Sequence, residues 1–111
     1  MTENGIHLII DACKVNGFID NQEKWQIIFD RIIDATYTNK IGDSVFYKFP
    51  VQGLTGFQIL SESHISVHTY PEFSSYHLDV FSCKWFDYNR ILNILTDVWG
   101  VHELKYTLIT R

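Results

Sequence analysis

Only two stretches of this sequence carry a helical apolar stripe, and between them they must shelter a much larger set of strand-like runs. In the first, Trp25, Ile28, Phe29 and Ile32 recur at i, i+3, i+4 and i+7 behind Asp20 and Glu23, a pair spaced as a capping box, and the pattern stops before the turn "TNKIGD" at 38–43. In the second, Ile91, Ile94, Leu95 and Val98 follow Asp87, a suitable N-cap, and precede Gly100, a suitable C′ residue. The rest reads as strand. "GIHLIIDACKV" is apolar and β-branched without a helical stripe and is predicted to end near Cys13. "SVFYKF" stops at Pro50, and Gly53 and Gly56 bracket a predicted loop, "VQGLTG". "FQILSES", "HISVHTY", "YHLDVFSC" and "VHELKYTLI" complete five or six strands, and in the third of these Leu78, Val80 and Ser82 oppose His77, Asp79, Phe81 and Cys83. Two helices cover one face of such a sheet and no more. The expected fold is α+β, a two-layer α/β sandwich with a mostly antiparallel sheet covered on one face by two helices, and the bare face is a natural dimer surface or active-site wall.

At 111 residues, with no repeat, no low-complexity segment and no dividing linker, the chain is expected to form a single domain, 1–111. Its 46% hydrophobic content suffices for a core, though a modest one that oligomerisation would reinforce. A net charge of -4 without any Lys/Arg run argues against nucleic acid. The apolar run Ile6–Ile10 ends at Asp11, too short for a signal peptide or a membrane span, so no membrane partner is expected and a cytoplasmic location is. There the two cysteines stay reduced and are weighed singly: Cys13, with no motif partner, goes to the core, as do His7, His77 and His102 to structural roles.

"SESHISVHTYPE", residues 61–72, is too reactive for an ordinary strand. Glu62, Ser63 and His64 are consecutive, so no single solvated face accounts for them, and a sharp turn among them lacks Gly, Pro or Asn. Strain in such a turn favours attack of the Ser63 hydroxyl on the carbonyl carbon of Glu62, which converts amide to ester. His68 supplies a group of near-neutral pKa suited to take the serine α-proton in a following β-elimination. In a regular strand Ser63 and His68 point to opposite sides, unless the turn breaks the alternation. Taken singly, each residue has a plainer role: a turn hydroxyl, a packed histidine, a buried thiol at Cys83. Their combination outweighs those roles. A zinc site from His64, His68 and Cys83 is rejected, since the spacing matches no common metal pattern.

The same residues resemble the signature of the S-adenosylmethionine decarboxylase proenzymes of the short bacterial and archaeal type. The likeness rests on "SESHISVHTYPE", the later "LDVFSC", "GIHLI" near the start and the F-P-x-x-G-x-(S/T)-G loop, and it covers most of the chain. It implies autocatalytic cleavage between Glu62 and Ser63 into a β chain, 1–62, and an α chain, 63–111, whose first residue becomes a covalent pyruvoyl cofactor. It further implies His68 as processing base or acid, Cys83 as the proton donor to the decarboxylated carbanion, and Thr55 as a processing aid where a serine is common. Phe49 and Tyr70 would stack the adenine of S-adenosylmethionine, Tyr70 standing where tryptophan is usual, and Glu72 would bind the ribose hydroxyls. The product would feed spermidine biosynthesis, and the unit would be a homo-oligomer, a dimer of cleaved αβ protomers. A carbonyl conjugated to the substrate nitrogen is the electron sink that amino-acid decarboxylation needs, and no pyridoxal motif is present to supply another. Tyr70, Thr55 and Lys84, the last where glycine is common, leave open a pyruvoyl-dependent ornithine or arginine decarboxylase; the other alternative is an uncleaved, non-enzymatic binding homologue, against which the complete Ser63, His68 and Cys83 speak.

Overall fold

A computed structural model describes residues 5–111. Six strands, β1 (Ile6–Cys13), β2 (Val45–Lys48), β3 (Leu54–Leu60), β4 (Ser63–Tyr70), β5 (Ser75–Ser82) and β6 (Glu103–Thr110), form one sheet in the order β2-β3-β4-β5-β1-β6. Every neighbouring pair is antiparallel. Helices α1 (Gln22–Thr36) and α2 (Tyr88–Trp99) pack on one face, which gives the expected two-layer sandwich.

Strand alternation sorts the side chains. Leu8 and Ile10 of β1, Ile65 and Val67 of β4, and Leu78 and Val80 of β5 are buried beneath Trp25, Ile28, Phe29 and Ile32 of α1 and Ile91 and Leu95 of α2. Trp25 anchors this core: its ring meets that of Tyr76 edge-on at 4.9 Å, and its indole N–H donates to the Ile19 carbonyl. The Tyr76 hydroxyl reaches His102 Nε2 at 2.7 Å, and burial drives its phenol pKa upward. The other face bears His64, Ser66, His68 and Tyr70 of β4 opposite Phe81, Asp79, His77 and Ser75 of β5. Phe57, Ile59, Tyr70 and Ile109 are exposed there.

Three local expectations are corrected. Asn21, not Asp20, caps α1, accepting from Lys24 N–H at 3.1 Å; the Asp20 carboxylate instead receives Gly53 N–H at 3.4 Å and ties the helix start to the β2–β3 loop. Gly56 lies inside β3, and the loop ends at Gly53, whose φ of +94° suits glycine. A Cβ on Gly56 would stand 2.6 Å from the Phe46 ring, which itself stacks on Phe29, so Gly56 marks close packing rather than a turn. Cys13 lies on the open face, half-buried, and donates to Glu103 Oε2 at 2.9 Å, because its place at the end of β1 puts it opposite Glu103.

Candidate active site

The turn between β3 and β4 is two residues long, Ser61 and Glu62, with Leu60 and Ser63 as its closing pair. The turn thus falls one or two residues earlier than the sequence suggested, and Ser63 begins β4. Glu62 adopts φ +63°, a left-handed conformation that costs a residue with a Cβ roughly 1–2 kcal/mol. Neighbouring chain holds it there: Ser61 N–H donates to the Asn39 carbonyl at 2.9 Å and Ile41 N–H to the Ile59 carbonyl at 3.0 Å. Alternation survives the turn, so Ser63 faces the helices. Its Oγ is buried and has no hydrogen-bond partner among the described residues, in a class of group that is nearly always satisfied.

Directly across the ladder from Ser63 is Ser82 of β5, and Cys83 follows it. The Cys83 thiol donates to Glu62 Oε2 at 3.4 Å. Desolvation first, then the hydrogen bond to Glu62 and its negative charge, push the thiol pKa up, so Cys83 holds its proton at neutral pH. A cavity of about 30 Å³ lies here, lined by Asn39, Glu62, Ser63, Ser82 and Cys83 among others. It has room for one water and none for a nucleoside.

The remaining candidates gather elsewhere. His68 Nδ1 and Thr55 Oγ1 are 3.0 Å apart, joined as cross-strand partners on the open face. Tyr70 lies one alternation further along β4, edge-on to His77 at 5.3 Å. Phe49 N–H donates to the Gly53 carbonyl at 3.0 Å, and a Cβ on Gly53 would lie 3.0 Å from the Thr69 carbonyl, so the loop carrying Phe49 runs close to the end of β4. Exposed Glu72 sits in the Pro71–Phe73 turn just beyond Tyr70. The chain therefore presents Glu62, Ser63 and Cys83 at one end of the β3–β4 hairpin, and Thr55, His68, Phe49, Tyr70 and Glu72 toward the other. Sequence reading passed over Ser82. The signal was its place on the core-facing parity with Leu78 and Val80, where a serine is out of character.

A buried, unpartnered nucleophile beside a strained peptide, with a protonated thiol at hand, is an arrangement proper to an enzyme rather than to a passive sandwich. The S-adenosylmethionine decarboxylase family model matches residues 6–111, and the chain belongs to that family. It is 41% identical over 80 residues to an S-adenosylmethionine decarboxylase proenzyme of Hydrogenobaculum sp., a match covering 71% of this chain and 59% of that protein's length. It is 36% identical over 112 residues to the proenzyme of that name from Clostridium botulinum strain Loch Maree, covering 97% and 96% of the two chains. The solved adenosylmethionine decarboxylase of Aquifex aeolicus superposes with a TM-score of 0.83 at 25% identity, over all of this chain and 92% of that one.

Proposed function

We propose that this chain is a self-processing, pyruvoyl-dependent S-adenosylmethionine decarboxylase of the cytoplasm, cleaved between Glu62 and Ser63, whose product serves spermidine synthesis. The observation that carries the reading is the buried Ser63 hydroxyl, without a hydrogen-bond partner among the described residues and adjacent to the left-handed Glu62 in a chain of this family. Attack of Ser63 Oγ on the Glu62 carbonyl exchanges the strained amide for an ester; loss of the α-proton and the Glu62 carboxylate severs the chain into 1–62 and 63–111 and leaves a dehydroalanine at position 63, which water converts to the pyruvoyl group with release of ammonia. Residues present fit the prosthetic group this makes: it arises from Ser63 itself, with Cys83 beside it. When formed, the pyruvoyl carbonyl supplies the electron sink for decarboxylation.

Within one copy His68 cannot serve Ser63, for the two face opposite sides about 16 Å apart along β4. A second copy resolves this. Two open faces packed about a two-fold axis set the hairpin tip of one copy against the far end of the other, and the exposed Val45, Tyr47, Phe57 and Ile59 supply an apolar surface to bury. Ser63 and Cys83 of one copy then share a site with Thr55, His68, Phe49, Tyr70 and Glu72 of the second. Cleavage makes residue 63 a chain terminus, no longer bound by the alternation that turns it to the helices. In that shared site Thr55 orients the His68 ring through the 3.0 Å contact, Phe49 and Tyr70 stack the adenine and attract the sulfonium, Glu72 accepts from the ribose hydroxyls, and Cys83 delivers its proton to the decarboxylated carbon. The test is carbon dioxide release from S-adenosylmethionine, with intact mass before and after processing.

A further inference from the structure

We infer that Ser82 is a positioning residue for a proton relay in the self-cleavage: it holds, against the Ser63 hydroxyl, the one water that carries that hydroxyl's proton during the amide-to-ester step. The inference rests on the proposed processing at Ser63 and adds to it a group that the reading lacked, since His68 lies on the wrong face to touch Ser63 Oγ before cleavage.

Four observations converge. Ser63 and Ser82 are register partners, so their Cβ atoms stand about 4.5–5.5 Å apart on the same, helix-covered side of the sheet. Both are buried, Ser82 at 1% exposure and Ser63 at 9%. The Ser82 Oγ is held in place by Lys84 N–H at 3.1 Å, which occupies one lone pair and leaves its own proton and a second lone pair available to a water shared with Ser63. The cavity that both line admits a single water, enough to bridge two hydroxyls or to reach the scissile nitrogen. Among the described residues no histidine lines it, and Glu62 is the only carboxylate that does.

The step balances without an added base. The bond from Ser63 Oγ to the Glu62 carbonyl carbon forms, and the carbon–nitrogen bond breaks. The Oγ proton passes to the one water, and that water, hydrogen-bonded to Ser82 Oγ, gives a proton to the departing nitrogen. Ser82 ends as it began. His68 of a second copy enters only at the later α-proton step, so the two residues act on different halves of the processing.

The proenzyme made by cell-free translation and chased over time, with the split fraction read by gel and intact mass, separates these roles. Ser82→Ala should split at least about tenfold more slowly than wild type, as loss of one hydrogen bond to a reacting group implies, and Ser82→Thr, which keeps the hydroxyl, should regain most of the rate. Hydroxylamine cleaves esters and not amides, so uncleaved Ser82→Ala should resist it at the 62–63 junction. Splitting of Ser82→Ala at the wild-type rate, or hydroxylamine cutting of its uncleaved form, would overturn the inference. Thermal melting against uncleaved Ser63→Ala reports folding. If Ser82→Ala melts well below that reference, the threonine variant decides alone: recovery supports the relay and no recovery overturns it. A wild-type chain that never splits overturns the processing reading itself, and is seen in the same gel before any Ser82 variant is compared.

Discussion

Ser63 and His68 occupy one strand, five positions apart, and point to opposite faces of the sheet. A site that uses both must therefore span two copies. Mixing inactive Ser63→Ala with inactive His68→Ala during co-expression should restore activity, because each heterodimer holds one intact shared site; with random pairing about a quarter of wild-type sites return. Zero recovery in a co-purified mixture would place both residues in a single copy.

Processing has a direct readout. Wild-type protein should yield two fragments whose masses correspond to 1–62 and 63–111 with a pyruvoyl terminus, while Ser63→Ala stays whole and folded. A split in Ser63→Ala at the same bond would remove the hydroxyl from the chemistry.

Cys83 should matter after cleavage more than during it. Cys83→Ala is expected to process nearly normally and to lose turnover by about a hundredfold or more, as for removal of a positioned proton donor. Because its thiol pKa is raised, the donor stays protonated to higher pH than an ordinary thiol, and turnover should fall only as pH climbs past the usual thiol range. Glu62→Gln removes one cause of that rise, so in a processed Glu62→Gln enzyme the alkaline limb should move to lower pH.

Tyr70 bears on the substrate. Tyr70→Ala should raise KM for S-adenosylmethionine more than it lowers kcat, since a stacking face contributes alike to ground and transition states. Ornithine and arginine, assayed in parallel, should release no carbon dioxide; release from either without release from S-adenosylmethionine would reassign the pocket around Phe49 and Tyr70.

Gly56 tests the packing of β3. Gly56→Ala drives a methyl into the Phe46 ring and toward Val67, 3.1 Å away, and should cost about 1–3 kcal/mol of stability, read as a lowered melting temperature of Ser63→Ala protein. An unchanged melting temperature would mean that the Phe46–Phe29 stack yields freely.

Much of this protein is local and was legible in the chain. The stripe from Trp25 to Ile32, the Asp87 and Gly100 caps and the alternation of "YHLDVFSC" determined helices, strands and the buried face, because each depends on residues within a turn or two of one another. The cluster from Glu62 to Glu72 with Cys83 carried the resemblance to the family to which the chain belongs. Tertiary structure decided what depends on partners distant in sequence. Asp20 left the capping role for Gly53, Gly56 proved to be a packing site against Phe46, and Cys13 paired with Glu103 across the sheet. Strand parity sets Ser63 and His68 on opposite faces, but only the tertiary structure decided that the alternation survives the turn and that the pairing of β4 with both β3 and β5 sets Thr55 against His68 at one end and Ser82 against Ser63 at the other.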